Sequence, residues 1–297
     1  MEPPVAWYRE FSPCAALAQD VYAFFSFVPG PPAVAPGRRV LREILVSDPT
    51  LCSPQLADGH VSIIFELGRT CAASGRWSDD SSALCATVTG PKTGVGRIAG
   101  RDFPEMLGIY FRPGRVNSLL GVPARYLIDQ TIALDSLWGT GGALLAAELR
   151  DLDEEARLDR IEAALLARLA CGRQWVGSVD VHGLAALVFK RNGRVAVESM
   201  AQAAGVSRQH LSREFREKIG VPPKLYSRLA RFHGALAYVG RPSSVDWARA
   251  AAESGYADQS HMIAEFRQFS GLTPDTLVSR YWFHPFIERA RDRRRHA

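Results

Sequence analysis

The chain repeats itself near its C-terminal end, and this duplication constrains the fold more than any other feature of the sequence. The first copy reads Met200-Ala-Gln-Ala-Ala-Gly205-Val-Ser207-Arg-Gln-His-Leu211-Ser-Arg-Glu-Phe215 and continues to Gly220-Val-Pro-Pro223. The second reads Trp247-Ala-Arg-Ala-Ala-Ala-Glu-Ser-Gly255-Tyr-Ala-Asp258-Gln-Ser-His-Met262-Ile-Ala-Glu-Phe266 and continues to Gly271-Leu-Thr-Pro274. Leu211 and Met262, Phe215 and Phe266, Gly220 and Gly271, and Pro223 and Pro274 are each 51 residues apart. The glycines Gly205 and Gly255 are 50 apart, so the second turn holds one more residue. Composition alone does not place four anchors at one offset.

Each copy has the makings of two short helices joined by a tight turn. Ala203 and Ala204 are small and allow close approach, and Gly205 tolerates the left-handed backbone that such a turn needs. Ser207 is placed to cap the next helix by accepting from its free N–H groups, as is Asp258 in the second copy. Leu211 and Phe215 lie four apart and share a buried face, as do Met262 and Phe266. The opposite faces present Arg208, Gln209, Ser212, Arg213 and Arg216, and Gln259, Ser260, Ile263 and Arg267. Side chains of these types suit base edges and phosphates in a major groove. His210 and His261 occupy matching places and are expected to position these helices or touch phosphate. Between the copies, Lys224–Val239 reads as one helix with Leu225, Leu229, Phe232, Leu236 and Val239 on its apolar face. A rigid connector would fix the spacing of the units. Two reading helices about 34 Å apart would enter successive turns of one groove.

Charge is distributed in the same sense. Residues 1–175 carry 17 basic and 20 acidic side chains, a net of −3, whereas residues 176–297 carry 19 and 11, a net of +8. The positive surplus sits on the duplicated part, where a polyanion would be attracted. At 297 residues there is room for about two domains, and a 47% hydrophobic, 23% charged composition supplies enough apolar material for real cores, so disorder is not the default reading.

The first 138 residues read differently. Short apolar runs at Val40–Val46, His60–Leu67, Leu84–Val88 and Met106–Phe111 read as strands. They are punctuated by Pro29-Gly30-Pro31-Pro32, Ala57-Asp58-Gly59, Gly90-Pro91 and Arg112-Pro113-Gly114. This predicts a β-rich barrel or sandwich, closed by short helices at Val116–Leu120 and Pro123–Leu127. Residues 139–178 form a helical connector. Gly142–Leu152 and Glu154–Ala170 are its helices, and Leu158, Ile161, Leu165, Leu166 and Leu169 give the second an apolar stripe. That stripe serves either packing within the chain or dimerisation. The fold class is therefore α+β: a β-rich domain over residues 1–138, the connector, an all-α domain over 179–284 and a basic tail over 285–297. The run Arg291–Arg295 is read as a frayed tail, with contact to phosphate as the alternative.

Residues 180–284 resemble the DNA-binding domain of the AraC/XylS family of transcription regulators. The segment Gly255-Tyr-Ala-Asp-Gln-Ser-His261, with Phe266 and Gly271-Leu-Thr-Pro274, is similar to the most distinctive stretch of that family. The resemblance implies seven helices in two subdomains joined by a long helix. It also implies base contacts from Gln209, Ser212 and Arg213 and from Gln259, Ser260 and Ile263. Ala264 stands where many relatives carry a basic or polar residue, so specificity is expected to lean on the first unit. Upstream, Leu56-Ala-Asp-Gly-His60-Val-Ser-Ile-Ile-Phe65, Gly90-Pro-Lys-Thr93 and Phe111-Arg-Pro-Gly114 resemble an uncharacterised domain that often precedes this one. So does Leu120-Gly-Val-Pro123 leading to Leu137-Trp-Gly139. That likeness implies a sensory or regulatory role and names no ligand.

Other chemistry finds little support. The cysteines, Cys14, Cys52, Cys71, Cys85 and Cys171, are odd in number and form no CxxC pair, so free thiols are expected rather than disulfides or zinc. Asp58 and His60 lack companions for a metal site. Gly90–Gly96 lacks a phosphate-loop signature, and Gly139-Thr-Gly-Gly142 reads as a helix entry. Phe24–Val28 is too short to span a bilayer. The expectation is a cytoplasmic transcription regulator, not an enzyme, without cofactor or metal. Double-stranded DNA is its partner, and a small-molecule effector, a second copy and RNA polymerase are candidate further ones. The alternative is a DNA-binding module fused to a cysteine-dependent enzyme, using Cys52, Cys71 or Cys85, or to a purely protein-interacting domain.

Overall fold

The computed structural model describes residues 6–29, 40–46, 56–71, 77–95, 103–172, 178–237 and 246–280. The chain divides into two compact units. One comprises residues 1–50, 60–90 and 99–176, and the other 51–59, 91–98 and 177–297.

Among the described residues, the first unit is built on one continuous antiparallel sheet. Its strands are β1 (Ala6–Phe11), β2 (Val21–Pro29), β3 (Val40–Val46), β4 (Ser62–Cys71), β5 (Trp77–Thr89), β6 (Phe103–Phe111) and β7 (Thr131–Ala133). They lie in the order β3-β1-β2-β6-β4-β5-β7. Strand alternation sets the two faces. Phe11, Phe24, Ile63, Phe65, Leu107 and Ile109 project to one face and form its buried core. Tyr8, Phe25 and Tyr110 project to the other, where Phe25 stacks on Tyr110 at 4.3 Å.

Helices supply the second layer of that core. After two short turns, α1 (Asn117–Leu120) and a 3-10 turn at Ala124–Leu127, come α2 (Asp135–Trp138), α3 (Gly141–Arg150) and α4 (Glu154–Cys171). Asp153 caps α4 by accepting from the Ala156 N–H. Leu145, Ala146 and Leu149 of α3 and Leu158, Ile161 and Leu165 of α4 are buried against the sheet. The apolar stripe of α4 is thus consumed inside the chain along those three residues, while Leu166 stays 37% exposed.

Strand β2 escapes the sequence pattern because it is buried on both faces and shows no alternation, and β1 because charge is buried in it. Arg9 and Glu10 are only 4% and 3% exposed. Arg9 is held by Glu43 at 2.6 Å and by Glu154 of α4 at 2.5 Å, and Glu10 accepts from the Tyr8 hydroxyl at 2.5 Å. Buried charge of this kind persists only when paired.

The second unit is helical: α5 (Val181–Lys190), α6 (Val197–Ala203), α7 (Arg208–Lys218), α8 (Pro223–Ala237), α9 (Trp247–Ser254), α10 (Gln259–Ser270) and α11 (Pro274–Arg280). The seven helices that the resemblance implies are all there. The connecting helix α8 starts one residue before its predicted position, and Val239 lies outside the described residues, as does the basic tail. Two cores form along α8. Tyr226 and Ala230 join the first, with Val181, Met200, Leu211 and Phe215. Leu229, Phe232, Ala235 and Leu236 join the second, with Met262, Phe266, Phe269 and Leu277.

Candidate nucleic-acid interface

Both copies of the repeat fold as two helices about a turn. In the first, α6 ends at Ala203 and Gly205 adopts φ +64°, the left-handed backbone that the short turn requires. Ser207 caps α7, its hydroxyl accepting from the His210 N–H at 3.2 Å. Leu211 and Phe215 are fully buried. The small residue buried where the helices meet is Ala201, whereas Ala203 is exposed and Ala204 half-buried. Of the two alanines expected to allow close approach, Ala204 packs against the first core beside Ala201, whereas Ala203 does not. In the second copy Asp258 caps α10 by accepting from the His261 N–H at 2.7 Å, and Met262 and Phe266 are buried. Ala250 and Ala251 fill the crossing.

Burying those anchors leaves the opposite faces outside. Arg208, Gln209, Arg213 and Arg216 are exposed on α7 and Ser212 is half-buried. On α10, Gln259, Ser260, His261 and Arg267 are exposed and Ile263 is half-buried; Ala264 is exposed beside them. The ten residues picked from the sequence thus fall on the outer faces of two capped helices.

Several of them are already held. Arg208 donates to Glu198 of α6 at 2.6 Å. That hydrogen bond is the main reason the Glu198 carboxyl lies below its usual range. The pair's contribution is therefore complete above the ordinary carboxylate pKa and is lost as pH falls through the lowered one. Arg216 donates to Ser212 at 2.7 Å. His210 is half-buried, with Ser178 Oγ 3.0 Å from its Nε2 and Arg213 3.4 Å from its Nδ1.

The repeat also extends to residues that the sequence reading passed over. His210 and Glu214 stand 3.9 Å apart, and His261 and Glu265 stand 3.7 Å apart. Glu214 and Glu265 keep the same 51-residue offset as the apolar anchors, which is the signal that would have found them. Glu265 is also held by Arg228 of α8 at 2.6 Å, and Arg228 reaches Gln268 at 2.5 Å. These bonds fasten α10 to the connecting helix. Arg194, between α5 and α6, donates to the carbonyls of Ala252 and Glu253, at the end of α9. Such terminal carbonyls have no partner within their own helix. Arg194 thereby ties the first unit to the second.

Among the described residues, neither the thiols nor Asp58 and His60 belong to a cluster of metal-ligating side chains. Burial, then the nearby Glu66 carboxylate and its hydrogen bond, push the Cys85 thiol up to about 11. Cys52 and the Cys71 side chain lie outside the described residues. Asp58 and His60 both have partners, and no cluster of three metal-ligating side chains occurs among the described residues. Nor is any described helix long and apolar enough to cross a membrane.

Comparison with known proteins agrees with this geometry. Residues 200–280 match the family described as "Helix-turn-helix domain", and residues 9–133 match "Domain of unknown function (DUF6597)". No curated protein matches the chain. Among solved structures, ToxT from Vibrio cholerae overlaps 76% of this chain and 91% of its own at 10% identity, with a TM-score of 0.41. Wild-type ToxT from the same organism, bound to an unsaturated fatty acid, overlaps 74% and 87% at 13% identity, with a TM-score of 0.40. The two family matches carry the assignment: residues 200–280 are similar to a helix-turn-helix domain, and they are preceded by a region similar to a domain of unknown function.

Proposed function

We propose that the protein is a sequence-specific DNA-binding transcription regulator that reads duplex DNA with α7 and α10. The observation that carries this is the doubled, capped helix-turn-helix within residues 200–280, with polar faces turned outward on both recognition helices. Gln209, Ser212 and Arg213 of α7, and Gln259, Ser260 and Ile263 of α10, are the base-reading residues in this reading. Arg208, Arg216, His261 and Arg267 hold the backbone. Bidentate Arg and Gln contacts distinguish base pairs in the major groove, and arginines without a base partner neutralise phosphate. Ala264 supplies no polar group, so α7 carries the larger share of specificity.

The N-terminal unit serves in this reading to sense a small-molecule effector or to associate with a second copy, and RNA polymerase is the further partner. The protein works in the cytoplasm as a binding protein, not as an enzyme. Selection of duplex fragments from a random pool by the purified protein tests the central claim. A recovered motif with two blocks supports paired reading, whereas recovery of no motif at low ionic strength removes the proposal.

A further inference from the structure

The core of the second helix-turn-helix is not made by the C-terminal sequence alone. Leu56 and Ala57, 1% and 0% exposed, belong to the same buried cluster as Leu229 and Phe232 of α8 and Phe266 and Phe269 of α10. Their stretch, residues 51–59, is part of the helical unit although it precedes β4 in sequence. Ala57 is tied through both of its backbone groups. Its N–H donates to the Phe269 carbonyl at 3.1 Å. Its carbonyl accepts from His233 Nε2 at 3.0 Å, across 176 residues of sequence. Phe269 lies in the last turn of α10, where carbonyls have no partner within the helix. His233 is only 7% exposed and packs edge-on against Phe232 at 5.5 Å. Gly59 completes the fit. Its φ is +65°, and an added methyl would stand 3.2 Å from Leu229 and 3.4 Å from Tyr226.

We infer that Leu56–Gly59 is a positioning element of the second recognition helix, fitted between the connecting helix α8 and the C-terminal end of α10. This rests on the reading of α10 as a DNA-reading helix. The first reading unit depends on this stretch less: none of the stretch's residues belongs to the first unit's core, although Gly59 faces Tyr226 there. Without Ala57, a buried carbonyl and a buried imidazole N–H both lose their partner, and such losses are costly. Without Leu56, α8 and α10 face a cavity. Either change lets α10 pivot at its anchored end. Base contacts from Gln259, Ser260 and Ile263 depend on the aim of that helix, because hydrogen bonds weaken steeply with misalignment.

The test uses the full chain and a duplex selected by the wild-type protein. The variants are Leu56→Ala, Ala57→Pro, which removes the N–H donor, His233→Leu and His233→Gln, which keeps a donor toward the Ala57 carbonyl. Base-by-base substitution of the duplex reads each half separately. The first three variants are expected to lose about tenfold or more in specific affinity, confined to the half read by α10, with His233→Gln largely restored. Equal loss across both halves, unchanged affinity, or a Gln variant as weak as the Leu variant overturns the inference. Amide hydrogen exchange without DNA provides a second readout. In His233→Leu, α10 should lose protection while α7 keeps it, and uniform loss or no loss counts against the assignment. Should the wild-type protein select no duplex at all, the DNA-binding reading falls, and the exchange pattern alone still decides whether Leu56–Gly59 positions α10.

Discussion

At the scale of single residues, the two recognition helices differ in what they offer a base. Arg213 is exposed on α7, while the corresponding position of α10, 51 residues on, is Ala264. The offset that pairs Leu211 with Met262 pairs a guanidinium with a methyl group. Arg213→Ala is expected to cost about 1–3 kcal/mol on the selected duplex and to relax preference at one base pair. Equal weakening on selected and random DNA would show that Arg213 touches phosphate only. Cys85 argues the other way, against covalent chemistry. Its thiol is raised from 9.0 to about 11, chiefly by burial. The thiolate is the reactive form, so at pH 8 alkylation of Cys85 should run about tenfold slower than that of an unperturbed thiol, the smaller thiolate fraction being partly offset by the greater nucleophilicity of a more basic thiolate. The rate should climb with pH until about 11. Mapping of iodoacetamide adducts by mass spectrometry checks this, and rapid labelling of Cys85 near neutrality would revive the cysteine-dependent alternative.

At the scale of elements, the caps decide where the reading faces begin. Ser207 and Asp258 each accept an N–H from the residue three further on, at 3.2 and 2.7 Å. Replacing either by Ala should lower stability by about 0.5–2 kcal/mol. Thermal melts of the two single variants and of the double variant test this, and the losses should add, because the caps serve separate cores. An unchanged melting temperature in both single variants would show that the caps contribute nothing measurable. These helices were legible because caps, turn glycines and four-residue apolar spacing all point one way. The resemblance had named the same face. The sheet was harder to read. The strand at Val40–Val46 has its predicted bounds, and the other three predicted runs lie largely within longer strands. β1 is hidden from such a reading, since Arg9 and Glu10 occupy buried positions that a pattern of alternating polarity treats as surface, and β2 is buried on both faces and so shows no alternation. The partners of Arg9, Glu43 and Glu154, are remote in sequence. The bonds from Ala57 to Phe269 and His233 were illegible for the same reason. A backbone donor and acceptor carry no sequence signature, and Leu56-Ala-Asp-Gly reads simply as the approach to a turn.

At the scale of the whole molecule, the split of charge makes a quantitative demand. The net of −3 over residues 1–175 means that the attraction for a polyanion must come from the net of +8 over residues 176–297. Each phosphate neutralised by Lys or Arg contributes about −0.9 to the slope of log affinity against log salt. Arg216 and Arg267 are exposed on α7 and α10, within the last turns of those helices. Arg216→Ala should therefore reduce the steepness of the slope by about one and weaken selected and random duplexes alike. Gln209→Ala should leave the slope unchanged and alter only the preference among duplexes. Fluorescence anisotropy over a range of potassium chloride concentrations separates the two, since a charge and a base contact respond differently to counterions. A flat salt dependence in the wild-type protein would mean that its positive surplus faces something other than phosphate. DNA would then no longer explain why the basic side chains collect on the same part of the chain as the duplicated helices.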